Sequence, residues 1–229
     1  MASIRALVLS SGGKDSILAL HKAWELGLRI IGIITMLPED PNSMLYHTHN
    51  VRHVEKIAES IGIDWYGFEA KKKEEEKALE RALKKLNAEL LVSGGIASNY
   101  QKDIFDKIAE SASMRHLAPL WGMKPYDVLN EIISMKMDVM IIAVAAYGLD
   151  EKWLGRNLTK ESVYELLKLS EKYHFNPIGE GGDFDSFVLD APLYKKRLIP
   201  LKVIKRWEKD SGALEIQELM MEDKEFLTS

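Results

Sequence analysis

The residues with the clearest chemical potential are Ser10-Ser11-Gly12-Gly13-Lys14-Asp15-Ser16, set between the apolar run Ile4 to Leu9 and a helical pattern from Ile17 to Leu26. The order reads as strand, glycine turn, helix. Two adjacent glycines permit positive φ and carry no side chain that would block a ligand. Successive N–H groups can then face one concavity, and the helix start adds unpaired donors and partial positive charge. With the full charge of Lys14, the stretch forms a cradle for phosphate oxygens. Its spacing differs from the common kinase and GTPase loop, in which a glycine and four residues precede Gly-Lys and then Ser or Thr. Here Gly13-Lys14 is followed by Asp15, and no glycine stands at the earlier position. A carboxylate in a phosphate nest repels its ligand unless a divalent cation lies between them, which makes Asp15 a candidate Mg²⁺ ligand. The same residues also suit a plain strand-to-helix turn with Asp15 favoured by the helix dipole.

A second stretch, Gly179-Glu180-Gly181-Gly182-Asp183-Phe184-Asp185, combines three glycines with three carboxylates. Such a loop can hold a cation, a basic substrate group or a nucleophile-activating water. It can equally be an acidic turn before a strand.

The elements that must position these groups follow from hydrophobic periodicity. Arg29 to Thr35 is a nearly continuous apolar strand, as in a parallel sheet covered on both faces. A long loop, Met36 to Tyr46, contains Pro38, Pro41 and Asn42 and leads to a helix ending near Ser60. Ile63 to Phe68 reads as a third strand. The charged run Lys71 to Lys85 hides Ala78, Leu79, Ala82, Leu83 and Leu86 at helical spacing, which makes it the solvated face of a helix. Glu89 to Gly95 is a fourth strand ending in a second Ser-Gly-Gly turn, Ser93-Gly94-Gly95. In a doubly wound sheet the fourth strand lies beside the first, and both turns line one crevice at the strands' carboxyl ends. Tyr100 and Gln101 begin the next helix, toward that crevice. His116 to Leu120 is short and extended, Pro125 opens a helix to about Lys136, and Asp138 to Ala146 is a further buried strand.

This alternation predicts a doubly wound, mainly parallel α/β domain, Rossmann-like, over residues 1–149. Beyond Leu149 the pattern changes to a helix capped by Thr159, the glycine loop, and antiparallel strands with a hairpin around Asp210-Ser211-Gly212. A smaller C-terminal α+β domain is therefore expected over 150–229.

Composition narrows the function classes. The 229 residues are 46% hydrophobic and 29% charged, with a net charge of −4, so no global basic field draws the chain to nucleic acid. No apolar run reaches membrane-spanning length, and the start reads as a strand rather than a signal peptide. The absence of cysteine excludes a disulfide, a thiolate metal site and a cysteine nucleophile on this chain, and agrees with a cytoplasmic location. His47, His49 and His53 lack an evident third metal ligand and suit a polar or nucleotide-side role better than a metal site.

Taken together, these residues carry a resemblance. Ser11-Gly12-Gly13-Lys14-Asp15-Ser16 resembles the signature of the PP-loop, or N-type, ATP pyrophosphatases, which cleave ATP between the α and β phosphates. Ser93-Gly94-Gly95-Ile96, Pro119-Leu120-Trp121, Gly179-Glu180-Gly181-Gly182 and Val188-Leu189-Asp190-Ala191-Pro192, in that order, resemble the diphthine–ammonia ligase branch. Members of that branch commonly carry Glu where this chain has Asp183 and Asp185, a change that shortens the reach of any carboxylate. The resemblance implies adenylation of a substrate carboxylate with release of pyrophosphate, then displacement of AMP by ammonia. It implies ATP as substrate, Mg²⁺ held through Asp15, and ATP or pyrophosphate binding by Ser11, Gly12, Gly13, Lys14, Asp15, Ser16, Ser93, Gly94 and Gly95. Lys14, Asp15 and Glu180 would be catalytic, and Tyr100, Gln101, Glu180, Gly181, Gly182 and Asp183 would serve the acceptor. That acceptor is diphthine on elongation factor 2.

Without a cysteine the chain cannot hydrolyse glutamine by a thiol, so ammonia from solution is the simpler nitrogen source. Two other readings stand beside this one. A tRNA-modifying adenylating enzyme would need a basic, aromatic-laced face, for which Lys195-Lys196-Arg197, Lys202, Lys205, Arg206 and Trp207 are modest candidates; the same residues suit a protein-docking face or wet strands. A non-catalytic ATP-binding module would not need an acceptor loop. The sequence leaves the oligomeric state open, a homo-oligomer included.

Overall fold

The computed structural model describes residues 3–40, 43 and 45–224; Pro41 and Asn42 of the long loop lie outside the described residues. By contacts the chain divides into Met1–Gly122 and Met123–Ser229.

The first unit runs β1 (Arg5–Leu9), α1 (Lys14–Glu25), β2 (Arg29–Pro38), α2 (Val54–Ile61), β3 (Asp64–Ala70), α3 (Glu75–Leu83), β4 (Leu90–Val92), α4 (Asn99–Ser111) and β5 (Arg115–Leu117). Its sheet has the order β3-β2-β1-β4-β5, and every pairing is parallel. The chain winds outward from β1 to β3 and then returns to place β4 beside β1, with Ala6 opposite Leu90 and Val8 opposite Val92. This is the expected switch point, where ligand crevices form at the strands' carboxyl ends. Leu7, Ile34 and Leu91 pack into one cluster with Leu79 and Leu83 of α3 and Phe105 and Ile108 of α4. Ala6 and Val8 point to the opposite face by the two-residue pleat and are also fully buried. Burial on both faces explains why these strands lack polar alternation.

The second unit contains α5 (Pro125–Ser134), β6 (Asp138–Val144), α6 (Lys160–Tyr173), β7 (Phe184–Asp190), β8 (Lys196–Glu208) and β9 (Ser211–Asp223). The sheet order is β7-β6-β9-β8, and all pairings are antiparallel. Thr159 caps α6 in a reciprocal capping box with Ser162, as its position predicts.

Two expectations are corrected here. β6 reads in sequence as a strand of the parallel domain, but it pairs antiparallel with β7 and β9. The boundary expected near Leu149 accordingly lies at Gly122/Met123. The reason is physical: β6 is an inner strand with Val139 and Ile141 buried on one face and Met140 and Ile142 on the other, and a strand buried on both faces has the same apolar pattern in either sheet.

β9 pairs with β6 only over Ala143↔Ala213 and Val144↔Gly212. Most of its length pairs with β8 alone, in a ribbon from Lys196↔Asp223 to Glu208↔Ser211 whose register shifts around Lys202. Leu201, Val203, Ile204 and Met220 are exposed on this ribbon. Among the described residues no helix is long and apolar enough to cross a membrane.

Candidate functional site

The candidate phosphate cradle is the turn between β1 and α1. Gly12 takes the left-handed conformation, with φ of 83°. Gly13 does not: it is the extended N-cap of α1 (φ −76°, ψ 160°), and no side chain caps the helix there. The start of α1 thus keeps backbone donors that no capping side chain serves, as an anion site requires.

A chain of hydroxyls holds this turn. Ser16 Oγ donates to Gly13 O at 3.0 Å, which spends its only proton. The 2.7 Å contact between Ser10 Oγ and Ser16 Oγ must therefore run from Ser10 to Ser16, and Ser10 Oγ in turn accepts from Gly12 N at 3.0 Å. Ser10 is buried and had no role beyond its place in the stretch; a small polar residue just before a glycine turn was the available signal. The Ser16 hydroxyl is committed to the turn, which leaves its backbone N–H as the group suited to an anion.

Lys14 is 3% exposed and pairs with Asp15 Oδ2 at 2.8 Å. The other oxygen, Asp15 Oδ1, is buried and has no hydrogen-bond partner. Stranding a carboxylate oxygen in this way is costly, and a hard cation is the natural partner for it. The residues present therefore fit Mg²⁺ at Asp15.

The two Ser-Gly-Gly turns meet. A Cβ on Gly94 would stand 2.6 Å from Ser16 N and 2.7 Å from Asp15 C, so only glycine lets the turn after β4 lie against the first turn of α1. The sequence-predicted stretches Ser11 to Ser16 and Ser93 to Gly95 are thus brought together. Ser98 caps α4 by accepting from Gln101 N, which uses the Gln101 backbone. Tyr100 is 60% exposed at the same helix start.

Ser93 heads a network that the sequence did not reveal. Ser93 Oγ lies 2.8 Å from His116 Nε2, His116 Nδ1 lies 2.6 Å from Asp106 Oδ1, and Lys102 donates to Asp106 Oδ2 at 2.6 Å. The Phe105 ring stands edge-on to the His116 ring at 5.9 Å, and Lys102 lies over Trp121. The His116 side chain is 2% exposed; burial, opposed by Asp106, holds its imidazole below the ordinary value. Burial pushes the Asp106 carboxyl up, but the bonds from Lys102 and His116 together prevail and hold it below the ordinary carboxylate range. No spacing rule links residues 93, 102, 106 and 116; only the β4–α4–β5 unit gathers them.

The acidic glycine loop belongs to the second unit. Gly179, Gly181 and Gly182 all have positive φ. A Cβ on Gly179 would meet Phe184 O at 2.4 Å, whereas Gly181 and Gly182 face open space. Asp183 Oδ2 accepts from Asn176 N at 2.7 Å, and Asn176 Oδ1 accepts from Ile178 N, so Asp183 works at least partly as a clasp of its own loop. Glu180 is half-buried.

The remaining candidates resolve as follows. Among the described residues no group of three His, Cys, Asp or Glu is placed to hold a metal; Arg52 contacts His53. Lys196, Arg197 and Arg206 of the basic ribbon each face a carboxylate on β9, namely Asp223, Glu222 and Glu215.

Comparison with known proteins finds a separate family match for each of the two units. Residues 4–116 match the diphthamide synthase N-terminal domain, and residues 124–221 match the diphthamide synthase C-terminal domain. The chain is 31% identical over 220 residues to the diphthine–ammonia ligase of Danio rerio, covering 86% of each protein. It is 31% identical over 221 residues to that of Homo sapiens, covering 86% of this chain and 82% of the relative. The Schizosaccharomyces pombe diphthine–ammonia ligase is 29% identical over 218 residues, which make up 36% of that protein.

Proposed function

We propose, from the premise that this chain belongs to the diphthamide synthase family, that it is an ATP-dependent ligase converting a diphthine carboxylate to the amide. The observation that carries the reading is the contact between the two Ser-Gly-Gly turns, which sets Ser93 to Gly95 against the uncapped start of α1 beside a stranded oxygen of Asp15.

The carboxylate oxygen of diphthine on elongation factor 2 attacks the α-phosphorus of ATP. The bond to the bridging oxygen breaks, and pyrophosphate leaves. Ammonia then adds to the acyl carbon of the mixed anhydride, loses a proton, and AMP departs with the bond electrons. Backbone donors of Ser11, Gly13 and Ser16 hold the leaving pyrophosphate, Gly12 shapes the turn with its N–H on Ser10 Oγ, and Gly94 and Gly95 close the crevice. Lys14 offsets negative charge as it develops at the transferred adenylyl group, a use of fixed charge that costs no reorganisation. Asp15 would hold Mg²⁺, which supplies charge neutralisation between phosphate oxygens when bound. Tyr100 and Gln101, in the first turn of α4, receive the acceptor. Glu180, with the Gly181 and Gly182 backbone, orients the acceptor or ammonia, and Asp183 holds that loop in shape. With no cysteine in the sequence, ammonia comes from solution. The setting is the cytoplasm, where the protein substrate works.

The test is incubation with ATP, ammonium and diphthine-bearing elongation factor 2, reading AMP, pyrophosphate and the acceptor mass. Stoichiometric AMP, pyrophosphate and amide are expected. ATP conversion to AMP with an unmodified acceptor would assign the chain to a different adenylating reaction.

A further inference from the structure

The Ser93 network fixes the direction of every hydrogen bond in it. Asp106, ionised, only accepts, and it receives Lys102 on one oxygen and His116 Nδ1 on the other. Nδ1 therefore carries a proton. The buried ring is neutral at neutral pH, so Nε2 presents a lone pair. Ser93 Oγ, 2.8 Å away, must donate to it. The only proton of the Ser93 hydroxyl is then spent, and what it can show to a ligand is lone pairs. Phosphate oxygens are acceptors and would oppose them. Ser93 is buried, and a Cβ on Gly95 would stand in ordinary contact with its Oγ at 3.7 Å, so glycine keeps a carbon off that side of the hydroxyl.

We propose that Asp106 and His116 are positioning residues that hold Ser93 Oγ as a hydrogen-bond acceptor, so that this turn receives an N–H or O–H group of the bound nucleotide rather than a phosphate oxygen. The inference rests on the nucleotide reading of the crevice and reassigns one of its members. The donors a ribonucleoside triphosphate offers are its base amine and its ribose hydroxyls, and Ser93 selects for one of them.

The test uses the whole chain. Nitrogen-15 NMR of histidine-labelled protein should show His116 with Nδ1 protonated and Nε2 bare. Asp106→Asn should invert this. Lys102 can only donate, so the new carboxamide must turn its oxygen to Lys102 and its NH₂ to Nδ1, which forces the proton to Nε2 and makes Ser93 a donor. ATP is then compared with inosine triphosphate, 2′-deoxy-ATP and 3′-deoxy-ATP. In the native chain the analogue lacking the recognised donor should bind about tenfold more weakly than ATP. In Asp106→Asn, ATP itself should weaken about tenfold and that difference should vanish. His116→Gln, which offers an amide oxygen near the place of Nε2, should restore the discrimination that His116→Ala loses. Thermal melting separates these effects from misfolding, and if Asp106→Asn does not fold, the native tautomer and analogue series still decide. A bare Nδ1, equal binding of all four nucleotides, or a covalent adduct on Ser93 after incubation with ATP would overturn the inference. ATP binding with the opposite tautomer would sink it alone. The expected tautomer with no ATP binding would sink the nucleotide reading and, with it, the ligand assigned to Ser93.

Discussion

Gly94→Ala isolates the contact on which the site depends. Gly94 does not have positive φ, so alanine suits its backbone and the whole effect is steric. The added Cβ would lie 2.6 Å from Ser16 N, 2.7 Å from Asp15 C and 2.9 Å from Asp15 O. All three are backbone atoms, which cannot swing aside as a side chain can. Ordinary contact is about 3.5 Å or more, so the two turns must part by about 1 Å. Overpacking of this kind costs about 1–3 kcal/mol, which for a chain of this length lowers Tm by about 2–12 °C. The larger effect is on chemistry: a misplacement of about 1 Å at a reacting group can cost about a hundredfold in rate. Melting followed by circular dichroism, with pyrophosphate release measured on the same preparation, checks both. Gly95→Ala is the stability control, because its Cβ would meet nothing closer than 3.7 Å, and Tm should hold. Native Tm and native pyrophosphate release in Gly94→Ala would refute the claim that the turns touch.

Three further outcomes follow from the same geometry. Asp15→Asn keeps the shape and removes the charge beside the stranded oxygen, so Mg²⁺-dependent pyrophosphate release should fall by about two orders of magnitude with the fold retained; unchanged Mg²⁺ dependence would remove Asp15 from the reaction. Glu180→Gln should leave ATP affinity intact and stop amide formation, whereas a collapse of ATP affinity would move that loop to the nucleotide site. His116 is held below its ordinary value by burial, against the pull of Asp106 and with Lys102 adding to the depression. Its contribution to stability and to ATP affinity should be present above about pH 6.5 and be lost as pH falls through the depressed value. The native chain should therefore lose affinity below pH 6.5 more steeply than His116→Gln, in which ATP titrates alone; parallel curves would contradict this.

The first unit was largely legible because its strands are short apolar blocks between helical periods, and because the switch point follows from winding order alone. The meeting of Ser10–Ser16 with Ser93–Gly95 followed from that topology. β6 was misplaced because a doubly buried strand has no polar alternation to reveal its partners. The hydroxyl chain through Ser10 and the Ser93–His116–Asp106–Lys102 network were invisible for another reason. Each is a set of ordinary polar residues whose meaning lies in which lone pair faces which proton, and that depends on packing rather than spacing.

The ribbon of β8 and β9 has a consequence for the molecule's behaviour in a crowd. An outer strand 13 residues long with apolar groups in water is the usual template on which a second chain adds itself as the next strand. β8 interrupts that template from within: Pro200 brings no N–H, the register shifts around Lys202, and Lys202, Lys205 and Arg206 stand exposed among the apolar side chains. An incoming strand would find a missing donor, a kink and a row of like charges in succession. The protein can thus expose Leu201 and Val203 without offering a flat, continuous edge for fibrillar growth.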